Sequence, residues 1–134
     1  MRILLDTSVY SQPIRKAPLQ SVITRWRECG EPSFVISAIC DLEVRLGVLR
    51  SPSQRLKTAY DTILEGRFPI LPFDGTCAIR YAELQAEAMT HGSTRPVFDL
   101  MIAVTALVND LPLATCNRKD FDWVPELTVL DWSR

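Results

Sequence analysis

A chain of 134 residues, 47% hydrophobic and 23% charged, has the size and mixture expected of a single domain spanning residues 1–134 with a real core, and a second domain is not expected. Its formal net charge of −1 excludes a protein that coats nucleic acid by bulk charge, so any nucleic-acid contact must be local. No apolar run approaches the roughly 20 residues of a membrane span or the roughly 7–15-residue core of a signal peptide, which places the chain in the cytoplasm with no membrane partner.

The first strand is read at Arg2–Leu5, and it stops on Asp6, Thr7 and Ser8. Those three are turn formers, or a carboxylate delivered to a sheet edge with two hydroxyls beside it. A helical stretch follows at Pro18–Cys29, then a strand at Phe34–Ile36 and a helix at Ser37–Leu49. On a wheel of about 100° per residue, Ile39, Leu42, Leu46 and Leu49 form one stripe, expected to face the core. Asp41 falls on the opposite, solvated side, and Glu43 lies roughly 40° from Ile39 at the border of the stripe. A carboxylate at that border needs donors, a base or a cation, and Arg50 is one available partner.

Further helices are expected at Ser53–Leu64, Gly75–Thr90 and Phe98–Asn109, with strands at Ile70–Leu71, Leu113–Thr115 and Thr128–Leu130. Gly30, Gly66 and Gly92 fall where helical patterns end. The segment from Pro96 to Val108 is apolar nearly all round, so its helix should be buried, with Asp99 its only charge. Asp99 is either a cap or a functional carboxylate, and the positive end of the helix dipole is expected to lower its pKa. After Thr115 the fourth strand runs out into Asn117 and Asp120, while Asp122 and Asp131 read as surface. Phe34, Phe73 and Met101 read as core, and Cys29, Cys40, Cys77 and Cys116 as reduced, mostly buried thiols with no zinc spacing.

Strands alternating with helices predict an α/β fold of three α/β/α layers with a mainly parallel central sheet of about five strands. Such sheets carry their sites at the carboxyl ends of the strands, where Asp6 lies. Asp6, Glu43 and Asp99 converging there would form an oxygen-only site suited to Mg2+ or Mn2+ and to phosphoryl transfer. Thr7, Ser8 and Thr115 are the hydroxyls available to orient such ligands or their waters. A haloacid-type phosphohydrolase would need a second acid where Ser8 stands, and a phosphorelay receiver would need acids where Leu4 and Leu5 stand.

The blocks "LLDTS", "SAICDLEVRLGV", "FDLMIAVTAL" and "LATCNRKDFDWVPELTVLDW", in that order, resemble the PIN-domain ribonucleases, specifically the VapC-like toxins of bacterial toxin–antitoxin pairs. The resemblance implies that Asp6, Glu43 and Asp99 are the three acidic metal-site residues. It puts Asn117 where many PIN domains carry a fourth acid, with Asp120 close by. It further implies a Mg2+- or Mn2+-dependent endoribonuclease that arrests translation, forms a homodimer and is neutralised by a cognate VapB-like antitoxin. Arg45, Arg95, Arg118 and Lys119, with Arg15, Lys16 and Arg50, are candidates for the RNA-facing rim. The alternative is a PIN-like module that binds RNA or protein without cutting, against which three retained, mutually repelling acids count.

Overall fold

The computed structural model describes residues 1–134. Five strands, β1 (Ile3–Leu5), β2 (Phe34–Ser37), β3 (Ile70–Leu71), β4 (Leu113–Thr115) and β5 (Val129–Asp131), form one sheet in the order β3-β2-β1-β4-β5. Every pairing is parallel, so each connection must cross over a face of the sheet. Helices α1 (Thr7–Tyr10) and α2 (Gln20–Cys29) join β1 to β2, and α3 (Ala38–Arg50) with α4 (Gln54–Ala59) joins β2 to β3. Helices α5 (Gly75–Thr90) and α6 (Val97–Val108) join β3 to β4, and a short 3-10 turn at Arg118–Asp120 precedes β5. The result is the expected three-layer α/β/α arrangement. No helix is long and apolar enough to cross a membrane.

Helices on both sides explain why β1, β2 and β4 are buried at every position and read as apolar runs, broken only by the terminal Ser37 of β2 and Thr115 of β4. Phe34 of β2 lies at the centre of an aromatic cluster, edge-on to Trp26, Phe68 and Trp132 with centroids 4.9, 5.9 and 5.8 Å away. Phe73 and Met101 pack against the core from partly buried positions. Cys40 and Cys77 are buried as expected, but Cys29, the last residue of α2, is exposed. Gly30 caps α2 at φ 84° and donates its N–H to the Trp26 carbonyl, a conformation that a side chain would strain.

Helix α3 buries a different face from the one its periodicity predicts. The buried residues are Ile39, Cys40, Asp41, Val44 and Val48, whereas Leu42, Leu46 and Leu49 are 44%, 47% and 77% exposed. Both faces of this helix carry apolar residues, so periodicity cannot choose between them, and partners elsewhere in the chain do. Asp41 is 8% exposed rather than solvated. Its Oδ1 accepts from the hydroxyls of Tyr10 and Tyr60 at 3.0 and 2.8 Å, and its Oδ2 from Arg45 Nε at 2.7 Å. Tyr60 reaches it because the helix expected through Leu64 leaves α geometry after Ala59 and continues as a π turn at Tyr60–Leu64.

Candidate active site

The chain winds from β1 outward through β2 to β3, then returns to add β4 and β5 on the other side of β1. The carboxyl ends of β1 and β4 therefore flank the point where the winding reverses, where open parallel sheets leave a crevice. Asp6 lies at that point, its N–H donating to the Ala114 carbonyl at 2.9 Å. Its side chain is 5% exposed and fully engaged. Oδ1 caps α1 by accepting from the Thr7 N–H at 2.7 Å, and Oδ2 accepts from the hydroxyls of Ser8 and Thr115, both at 2.8 Å. Ser8 Oγ also accepts from the Cys116 N–H at 3.0 Å, tying α1 to the end of β4. Thus "DTS" both turns the chain and fixes a carboxylate.

Because α1 packs against α3, the Thr7 hydroxyl can donate to Glu43 Oε1, and it does so at 2.7 Å. No pair forms between Glu43 and Arg50. Burial raises the pKa of Asp6 against the lowering effect of its hydrogen bonds. Glu43 is raised by burial too, opposed by the Thr7 hydrogen bond and reinforced by the Asp6 charge.

Asp99 lies in the first turn of α6, where Pro96 occupies the cap and no side chain caps the helix. Its pKa is pushed up to about 6, by burial first and then by the charges of Asp6, Asp120 and Glu43. The expected lowering by the helix dipole is overturned, because loss of water and three neighbouring carboxylates outweigh one helix end. Asp99→Asn should consequently stabilise the protein in EDTA. An acid whose folded pKa lies above its unfolded value loses stability as pH rises from about 4 to about 6. After discounting for the half-exposed position, the penalty above that window is about 1 kcal/mol, or roughly 3–5 °C in melting temperature. Melting curves of both proteins at pH 4 and pH 7.5 check this: the variant gains only at the higher pH.

The outer candidates divide. Asn117 precedes the 3-10 turn and is exposed, and its N–H donates to Thr115 Oγ1 at 3.0 Å. Asp120 is exposed, yet its charge acts on Asp99. Arg45, exposed on α3, pairs with Asp41 and lies 5.1 Å from the Tyr60 ring centre. Arg118 pairs with Asp122 at 3.0 Å. Arg15 is held by Ser11, while Lys16, Arg50 and Lys119 are exposed and form no ion pair. Arg95 lies over the Trp123 ring, a placement no local pattern announces. Sequence reasoning also missed Gln12, a buried amide that donates to the Ser8 carbonyl and accepts from Leu19 N–H, bracing the turn after Asp6.

What remains facing the crevice is a set of carboxylate and hydroxyl oxygens with no histidine. No three of the acids stand close enough to enclose an ion by themselves. The two thiols beside this region, Cys40 of α3 and Cys116 after β4, both have their pKa raised by burial, which disfavours a thiolate.

A family model described as PIN domain matches residues 3–127. Toxin FitB of Neisseria gonorrhoeae is 35% identical over 127 residues, covering 89% of this chain and 90% of that one. VapC ribonuclease Y4jK of Sinorhizobium fredii is 31% identical over 127 residues, covering 90% of each. The crystal structure of FitAcB from Neisseria gonorrhoeae superposes with a TM-score of 0.86 at 33% identity, covering 98% of this chain and 99% of that one. Since the family match runs from the first strand to just before the last and encloses all three acids, the chain belongs to the PIN-domain family.

Proposed function

We propose that the protein is a Mg2+- or Mn2+-dependent endoribonuclease that acts as the toxin of a toxin–antitoxin pair. The observation that carries this reading is the buried Asp6 at the β1/β4 switch point, its charge bearing on Glu43 and on Asp99. A relative named a ribonuclease and another named a toxin support the activity and the role.

The donor set fits a hard divalent cation. It is oxygen-only, and carboxylates that raise one another's pKa gain most from a bound positive charge. Asp6, Glu43 and Asp99 would hold the ion, with water completing its shell, because the acids do not close a cage alone and Mg2+ commonly keeps several waters. Bound there, such an ion would supply Lewis-acid polarisation of the phosphodiester and a lowered pKa for the attacking water. The protein's own groups supply orientation: Ser8 and Thr115 fix Asp6, and Thr7 fixes Glu43. Asn117 and Asp120, both exposed around the turn after β4, would meet the RNA or its waters.

Incubating the purified protein with a mixed pool of synthetic RNAs tests the reading. Internal cleavage is expected with Mg2+ or Mn2+ and not with EDTA, and cleavage unaffected by chelation would refute it.

The partners follow the same reading: a VapB-like antitoxin and a second copy of the chain. Leu42, Leu46 and Leu49 leave an apolar stripe on α3, and a twofold pairing of two such stripes would cover it. Sedimentation should show a two-chain species that Leu46→Glu converts to one chain, and an unchanged species would remove the stripe from the interface.

A further inference from the structure

A cavity of about 350 Å³ opens between α5, the loop entering α6 and the turn after Asp120, with Leu84, Glu87, His91, Ser93, Arg95 and Trp123 in its wall. Its size is at the lower end of small-molecule pockets, which run roughly 300–1,000 Å³, and suits one nucleotide. Arg95 is built into this wall. Its N–H donates to Gln85 Oε1 at 2.9 Å, and its carbonyl accepts from Gln85 Nε2 at 3.0 Å. Its guanidinium carbon lies 4.1 Å from the Trp123 ring centre, and Trp123 is itself pinned by Nε1 donating to the Asp120 carbonyl at 2.9 Å.

Despite this fixed backbone, the Arg95 side chain makes no ion pair and no hydrogen bond, and its Nε is buried without a partner. Arg2 and Arg50 are exposed to water, whereas Arg95 has exchanged water on the indole side for a cation–π contact that leaves its N–H donors without an acceptor. A guanidinium with unmatched donors is a ready receptor for phosphate oxygens. The surrounding Leu84, Trp123 and Pro125 offer apolar area for a flat ring. Glu87 on the same wall disfavours an acidic peptide, whose charges repeat, relative to a ligand with one anionic group. Arg95 precedes Asp99 by four residues, and Trp123 follows Asp120, whose charge acts on Asp99. The wall of the cavity and the acidic crevice thus share two segments of chain, the entry to α6 and the turn around Asp120.

We propose that this cavity holds one nucleotide of the RNA strand beside the cleaved bond, its phosphate on Arg95 and its base against Trp123, Leu84 and Pro125. The proposal rests on the ribonuclease reading for its biological ligand, but the pocket can be tested without catalysis.

Adenosine 5′-monophosphate is titrated into the protein in EDTA, with calorimetry and tryptophan emission as readouts. Saturable binding is expected, weakened at least about tenfold by Arg95→Gln and by Trp123→Leu, with Arg95→Lys and Trp123→Phe as better-packed controls that retain part of it. Inorganic phosphate should bind at least about tenfold more weakly than the nucleotide, since it lacks the stacking ring. Binding unchanged in folded Arg95→Gln, no binding by the parent protein, or an acidic peptide that competes more strongly than the nucleotide would each overturn the proposal. Nucleotide binding without any RNA cleavage would instead count against the ribonuclease reading alone.

Discussion

Asp6→Asn is expected to abolish RNA cleavage, by more than about 10³-fold, while leaving the fold intact. Loss of a group that merely orients a ligand already lowers activity about 10–100-fold, and Asp6 is proposed to contact the ion itself. Thr115→Val, which removes only the hydroxyl held 2.8 Å from Asp6 Oδ2, should fall within that smaller range. The fold survives Asp6→Asn for a definable reason. The asparagine carbonyl still accepts from the Thr7 N–H, and its amide can donate to Ser8 and Thr115, whose hydroxyl oxygens also accept. A buried negative charge disappears at the same time, so the melting temperature should stay level or rise. Cleavage assays paired with melting curves check both halves. Residual activity within tenfold of the parent, in a folded variant, would contradict the role given to Asp6.

Asp41→Ala should do the reverse, destabilising the protein without entering the chemistry. It removes the shared acceptor of the Tyr10 and Tyr60 hydroxyls and the partner of Arg45 Nε. Tyr10 and Tyr60 are both buried, so each hydroxyl loses a hydrogen bond at about 1–3 kcal/mol. Allowing for relief of the buried carboxylate, the net loss is about 3 kcal/mol, or roughly 10 °C in melting temperature for a chain of this length. Asp41→Asn keeps the oxygen that accepts from both tyrosine hydroxyls, loses only the partner of Arg45 Nε, and should cost about 1 kcal/mol. Urea unfolding measures the difference, and an Asp41→Ala loss below about 0.5 kcal/mol would show that the network is dispensable.

The contrast between the two aspartates shows where the sequence was legible. Asp6 could be read because a strand end is a local event: an apolar run, then a short acid and two hydroxyls. Asp99 could be read because a lone charge opening an otherwise apolar helix is conspicuous on any wheel. Five strands and their parallel order followed from alternation alone, with bounds displaced by a residue or two. Asp41 failed, and Glu43 was placed correctly only at the level of a border, because what fixes each lies far along the chain. Thr7 is 36 residues from Glu43, and Tyr60 is 19 from Asp41. With apolar residues on both faces of α3, the stripe of Leu42, Leu46 and Leu49 had as good a local claim to the core as Val44 and Val48. The pKa of Asp99 failed for a similar reason, since the helix dipole is visible in sequence and the carboxylates across the crevice are not. Arg45 and Arg95 looked alike as cations, and only their surroundings separate a residue paired with Asp41 from one laid on Trp123.

The central claim is that Asp6, Glu43 and Asp99 act together on one divalent cation, and calorimetric titration of Mn2+ into the RNA-free protein tests it most directly. The parent protein should bind the ion saturably, and Asp6→Asn, Glu43→Gln and Asp99→Asn should each weaken that binding at least about tenfold, about 1.4 kcal/mol per variant. Equal Mn2+ affinity in the parent and the three folded variants would contradict the account.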